Sequence, residues 1–100
     1  MGVYMSEIVK YGMEIKDIKE NLFVMIQMLQ RRSKIETQIN KLNIEEYQKL
    51  MKYDLELVNI AADVTDHYPV IRIFLNATKP ESEWWWHLDK VNSGDLKISL

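Results

Sequence analysis

The sequence predicts an all-α protein, a small helical bundle of three to four helices with a long N-terminal helix. Three observations indicate this fold class: a heptad repeat in the first half of the chain, a second helical apolar stripe in the middle, and an amphipathic segment near the end. Of the 100 residues, 47% are hydrophobic and 28% are charged, as in a folded domain and unlike a disordered chain. We therefore expect residues 1–100 to form a single helical domain.

The first predicted helix spans residues 6–30 and carries the heptad repeat. Ser6 suits its N-cap, because a serine hydroxyl accepts a hydrogen bond from a free backbone N–H of the first turn. Apolar side chains then recur in two interleaved series with a spacing of seven residues, as at the a and d positions of a coiled coil. The two series are Ile8, Ile15, Leu22 and Leu29, and Tyr11, Ile18 and Met25.

Two interpretations remain open at the end of this helix. Ser33 and Glu36 form the S-x-x-E pattern of a capping box, which would begin a new helix at Lys34. Alternatively, the first helix continues, because apolar residues keep a helical spacing as far as Leu42.

Asn43 begins a clearer helix, which we expect to end near Asp66. Asparagine is a favoured N-cap, and Glu45 and Glu46 in the first turn complement the positive end of the helix dipole. Pro69 sets the end, because proline disfavours helix in the residue before it. The apolar stripe of this helix consists of Ile44, Tyr47, Leu50, Met51, Leu55, Leu57, Val58, Ala61, Ala62 and Val64.

The apolar segment at residues 70–75 fits either a helix or a short strand. Pro69 suits the first position of a helix, whereas the β-branched and aromatic residues that follow suit a strand. We favour a helix, because two short strands alone are only marginally stable. The alternative is an α+β fold with short strands near residues 70–75 and 95–100.

The last predicted helix spans residues 80–92. Pro80 suits its first position, and Gly94 suits the residue just past its end. Its apolar face consists of Trp84, Trp85, Leu88 and Val91.

Composition argues against several classes of protein. The chain has no cysteine, so it forms no disulfide and no thiolate zinc site. Its net charge of −2 gives no electrostatic case for nucleic-acid binding. The longest apolar run comprises residues 22–26. It is far shorter than a membrane-spanning helix, which needs about 20 apolar residues. We expect a cytoplasmic protein without membrane association, without a cofactor and without an evident catalytic motif.

The heptad seam predicts protein–protein association, most simply as a homodimer. A helix of 25 residues would be about 37 Å long, which is long for a domain of this size. Three consecutive tryptophans cannot all face one core, because successive helical residues point about 100° apart. We therefore expect Trp86 at the surface or against a partner, where tryptophan is enriched. The predicted interface consists of Ile8, Tyr11, Ile15, Ile18, Leu22, Met25, Leu29 and Trp86. The alternative is an intramolecular seam against the helix that begins at Asn43, which would bury the same heptad residues.

Two carboxylate–histidine pairs suggest an alternative function as a metal-binding or small-ligand-binding bundle. Asp63 precedes His67 by four residues, and Glu83 precedes His87 by four. Each pair would share one helix face, and together they would offer ligands to a divalent transition metal.

A small basic cluster suggests a third function, as a nucleic-acid accessory factor. Arg31, Arg32 and Lys34 would contact phosphates in this interpretation. The predicted helix at residues 43–66 does not support it, because Lys49 and Lys52 lie among several acidic residues.

Overall fold

The computed structural model describes the backbone of residues 2–18, 20–21, 23–67 and 78–97, and the side chains of these residues except 64–67. Over these residues the chain forms α-helices and short 3-10 turns and contains no strand, which confirms the predicted all-α bundle. Residues 70–75 and 98–100, where strands were the alternative, lie outside the described part. The α-helices are α1 (Met5–Asp17), α2 (Phe23–Glu36), α3 (Ile44–His67) and α4 (Leu88–Ser93), and the 3-10 turns are Ile39–Lys41 and Trp84–His87.

The long N-terminal helix predicted from the heptad repeat is replaced by two helices, α1 and α2, which pack against each other. The backbone N–H groups of Glu20 and Asn21 donate to the carbonyl oxygen of Asp17 at the end of α1. Asn21 Oδ1 then accepts a hydrogen bond of 3.0 Å from the backbone N–H of Phe23, as short polar side chains do at helix starts. The reversal lets the apolar faces of both helices be buried within a single chain.

Helix α2 continues through Ser33 and ends at Glu36, so the interpretation in which a new helix begins at Lys34 is wrong. The Ser33 hydroxyl does not cap a helix, because it contacts the tryptophan-bearing segment instead. The 3-10 turn Ile39–Lys41 and the extended residue Leu42 connect α2 to α3.

Helix α3 begins after Asn43, as predicted, with a reciprocal capping box. Asn43 Oδ1 accepts from the Glu46 backbone N–H at 2.8 Å, and Glu46 Oε1 accepts from the Asn43 backbone N–H at 2.9 Å. The buried Glu46 carboxylate also accepts from the backbone N–H of Tyr4 at 2.7 Å. One side chain therefore ties the start of α1 to the start of α3.

The predicted helix at residues 80–92 is only partly helical. The 3-10 turn Trp84–His87 leads into the short helix α4, which ends before Gly94, as predicted. Gly94 has a φ of 86°, in the left-handed region that glycine adopts without steric cost, and its N–H donates to the carbonyl oxygen of Val91.

The hydrophobic core lies between α1, α2, α3 and the segment from Trp84 to Leu88. Each of these elements contributes side chains that are almost completely buried. Within the described residues, no helix has the length and apolar character needed to span a bilayer.

Candidate functional site

The heptad side chains predicted as an interface lie in the interior of a single chain. All of them that the structure describes are buried, as the intramolecular alternative predicted. The seam is formed by α1 with α2 as well as with α3. These side chains present no surface to a second chain in this arrangement. The buried members are Ile8, Tyr11, Ile15, Ile18, Met25 and Leu29, while Leu22 lies outside the described residues.

The three tryptophans are all buried, including Trp86, which was expected at the surface or against a partner and is only 5% exposed. Ser33 on α2 explains part of this burial. Its Oγ accepts from Trp85 Nε1 at 2.9 Å and from Trp86 Nε1 at 2.7 Å, and it donates to Glu83 Oε1 at 2.9 Å. The prediction failed because it assumed a regular helix with one buried face, whereas protein surrounds this segment on several sides.

Of the two carboxylate–histidine pairs proposed as metal ligands, Glu83 and His87 do not share a helix face as the sequence suggested. Glu83 immediately precedes the 3-10 turn that ends at His87, and residues four apart in such a turn do not share a face. Glu83 accepts from Ser33, and His87 Nε2 lies 2.8 Å from the carbonyl oxygen of Lys79. Among the described residues no group of three or more histidine, aspartate or glutamate side chains is arranged to hold a metal ion. Asp63 lies on α3, but the side chain of His67 is outside the described part, so a metal site including it stays a prediction.

The basic cluster does not form a patch that could follow a phosphate backbone. Arg31 bridges Glu7 and Glu14 of α1, with 2.7 Å between its Nε and Glu14 Oε1. These hydrogen bonds raise the pKa of Arg31, and the contact with Arg31 lowers the pKa of Glu7. Of the three residues, only Lys34 is exposed. Nucleic-acid binding therefore stays a prediction without support from this cluster.

Arg32 occupies a buried ionic network that joins three helices. Its Nε and Nη2 donate to the two carboxylate oxygens of Asp54 on α3, each at 2.9 Å. Tyr11 on α1 donates to Asp54 Oδ1 at 2.6 Å. The Arg32 guanidinium also lies 4.3 Å from the centre of the Trp85 ring, a distance typical of a cation–π contact.

The network changes the pKa of two of its members. Burial raises the pKa of the Tyr11 hydroxyl well above its ordinary value, and the adjacent Asp54 carboxylate raises it further. Burial disfavours the charged form of Arg32, but hydrogen bonds and attraction to Asp54 outweigh this effect and raise its pKa. Tyr11 is therefore a neutral donor and Arg32 a permanent cation at neutral pH.

A cleft of about 320 Å³ lies beside this network. It is bounded by α2, by α3 and by the segment that precedes and includes Trp84. Arg32 lines the cleft, and its Nη1 has no hydrogen-bond partner among the described residues. Arg32 Nη1 forms an ion pair with Glu36 Oε1, but the two atoms are 3.7 Å apart, which is too far for a hydrogen bond.

An apolar stripe on α3 faces solvent next to this cleft. Ile44, Tyr47, Met51 and Leu55 follow one another at spacings of three, four and four residues, which places them on one side of the helix. Ile44 is 76% exposed, Tyr47 47% and Leu55 50%, and Met51 is partly buried. The sequence analysis included these residues in a broad apolar stripe but did not distinguish them from the side chains that the core covers.

Comparison of the chain with protein-family models, with curated proteins and with solved structures found no match.

Proposed function

We propose that the protein acts by association with a second copy of itself, as a homodimer, through the apolar stripe on α3. The observation that supports this proposal is the exposure of Ile44, Tyr47 and Leu55 along one side of the longest helix. Large apolar side chains that are scattered singly need no partner, but a contiguous row of them is typical of an interaction surface.

The stripe is complementary to itself when two copies of α3 run antiparallel. In a pair centred between Tyr47 and Met51, Ile44 of one copy lies against Leu55 of the second copy. The same twofold axis places Tyr47 of one copy against Met51 of the other. Such a twofold pair is the simplest closed assembly, because each copy presents the same residues to the other.

The dimensions of α3 also suit this arrangement. Its 24 residues correspond to a length of about 36 Å, while the longest extent of the molecule is 38 Å. A pair centred on the stripe makes contact from Ile44 to Leu55, which is half of the helix and about 17 Å long. The proposal retains the cytoplasmic location expected from the sequence, since a chain without cysteine suits a reducing compartment.

Sedimentation equilibrium at micromolar concentration tests the proposal. We expect the unmodified protein to be a dimer, and we expect Leu55→Lys to weaken association at least about tenfold, because the new charge loses hydration at the interface. Leu55 is half-exposed, so this variant should remain folded by circular dichroism.

Met13→Lys is the matched control, because Met13 is an exposed apolar side chain on α1 and is not part of the stripe. It should leave the dimer intact. The proposal fails if the unmodified protein is a folded monomer, or if the two lysine variants weaken association equally.

A further inference from the structure

A row of polar side chains borders one side of the apolar stripe on α3. Glu45 directly follows Ile44 of the stripe, and it is exposed. Lys52 directly follows Met51 and is exposed as well. The two charged residues are seven positions apart, which is about two helical turns, so they lie on the same side of the helix. Together with the exposed Gln48 between them, they form a polar edge with a carboxylate at one end and an ammonium at the other.

The two charges of the polar edge are not used within one chain. The ion pairs among the described residues involve other side chains. Glu45 and Lys52 are also about 10 Å apart along the helix axis, which is too far for them to pair with each other. A second chain that packs on the stripe comes close to both charges, so its own charges affect how well it binds.

The polar edge is complementary to itself in an antiparallel pair of α3 helices. The twofold axis of such a pair brings each edge of the stripe against the same edge of the second copy. The midpoint between Glu45 and Lys52 is less than one residue from the midpoint between Tyr47 and Met51, so one axis serves both the edge and the stripe. Glu45 of one copy is then within about 1.5 Å, measured along the helix axis, of Lys52 of the second copy. Gln48 lies near the axis, where two carboxamides can donate to and accept from each other.

A parallel pair of α3 helices would leave both charges without partners. Its twofold axis runs along the helices, so the polar edge of one copy would face the opposite edge of the second copy. The residues of that opposite edge directly precede members of the stripe, and Glu46, Leu50 and Asp54 among them are buried in their own chain. The charges therefore favour the antiparallel orientation over the parallel one.

We infer that Glu45 and Lys52 form two symmetric ion pairs between the copies and that these pairs select an antiparallel second copy as the partner. The inference rests on the homodimer proposed above and assigns to this edge a role that the apolar stripe cannot fill. Apolar contacts supply affinity without fixing which chain binds, whereas like charges on a wrong partner or in a wrong orientation oppose association.

Charge reversal, followed by sedimentation equilibrium, tests the inference. Glu45→Lys places lysine against lysine on both sides of the twofold axis, and Lys52→Glu places glutamate against glutamate. We expect each variant to associate at least about fivefold more weakly than the unmodified protein, because two attractive contacts become repulsive. Both positions are exposed, so circular dichroism should show that the variants are folded.

Lys16→Glu is the matched control for Lys52→Glu. Lys16 is an exposed lysine in the last turn of α1 and does not belong to the polar edge. This variant should associate as strongly as the unmodified protein. Equal weakening by the two lysine reversals would contradict the role assigned to Lys52.

Mixing the two edge variants separates a specific pairing from a general loss of affinity. A heterodimer of Glu45→Lys with Lys52→Glu has an ammonium opposite a carboxylate at both positions. At a concentration where each variant alone is largely monomeric, we expect the equimolar mixture to associate within about threefold of the unmodified protein.

The outcomes distinguish this inference from the proposed dimer itself. The inference is overturned, and the dimer stands, if Leu55→Lys weakens the unmodified dimer but the mixture associates no better than its components. A folded monomer of the unmodified protein would overturn both.

Discussion

At the scale of single residues, the buried network of Tyr11, Arg32 and Asp54 is the most consequential feature. Its members come from α1, α2 and α3, so each pair joins two helices. A paired buried charge is tolerated because its hydrogen bonds offset the lost hydration, whereas a buried charge without its partner is strongly destabilising. The network therefore makes the relative positions of three helices depend on one carboxylate.

We expect Asp54→Ala to lower the free energy of unfolding by about 3–5 kcal/mol, because it leaves the Arg32 guanidinium buried without its hydrogen-bonded counter-ion and with only the Glu36 carboxylate 3.7 Å away. Urea denaturation followed by circular dichroism measures this change. Asp95→Ala, which alters an exposed aspartate, should change the free energy of unfolding by less than about 0.5 kcal/mol. Similar losses in the two variants would show that the network does not stabilise the fold.

At the scale of elements, α1 and α3 approach each other closely at Gly12. A Cβ atom at this position would overlap the ring of Tyr53 on α3. Tyr53 also contacts Tyr11 edge-on, with 6.4 Å between the ring centres. Glycine is therefore present in the middle of α1 because its lack of a side chain allows the two helices to pack, despite its low helix propensity.

We expect Gly12→Ala to destabilise the protein by about 1–3 kcal/mol, because the cost of overpacking exceeds the gain of about 1 kcal/mol in helix propensity. Thermal unfolding monitored by circular dichroism checks the sign. Met13→Ala, at an exposed position on the same helix, should leave stability nearly unchanged. A stabilised Gly12→Ala variant would contradict the close approach of α1 to Tyr53.

At the scale of the whole molecule, the structure separates the core from the surface proposed for association. The heptad residues form the core of one chain, whereas Ile44, Tyr47 and Leu55 remain exposed. A charge introduced in the core should therefore have a different consequence from a charge introduced on the exposed surface.

We expect Ile18→Glu to unfold the monomer, because Ile18 is completely buried and a carboxylate there would lack a partner. Burying this carboxylate costs several kcal/mol of stability, and the free energy of unfolding of a typical protein is only about 5–15 kcal/mol. Circular dichroism together with sedimentation distinguishes this outcome from dissociation. A folded Ile18→Glu monomer would show that the seam joins two chains, as the heptad pattern first suggested.

Local signals in the sequence were sufficient for the helical class and for several helix boundaries. The Asn43 cap, the Gly94 stop and the buried character of Ile8 and Leu29 depend on nearest neighbours along the chain, and the structure contains all of them. Such features are predictable because hydrogen bonding at helix ends and apolar periodicity are properties of a short segment.

Most of the candidate site could not be predicted, because it depends on residues that are distant in sequence. Arg32 looked like part of a solvated basic cluster, since nothing in its spacing pairs it with Asp54. Periodicity likewise assigned Tyr47 and Leu55 to an apolar side of α3 but could not show how much of that side the core covers. Packing decides such questions, because burial is set by which helices meet and not by the order of residues.

The long N-terminal helix shows the same division between sequence and tertiary structure. The heptad repeat determined by itself that residues such as Ile8, Ile15 and Leu29 are buried on a helical face. Only the tertiary structure decided that the chain reverses between α1 and α2, so that the seam closes within one molecule. The physical reason is that a heptad pattern specifies burial, and burial is satisfied equally by a neighbouring helix of the same chain or of another.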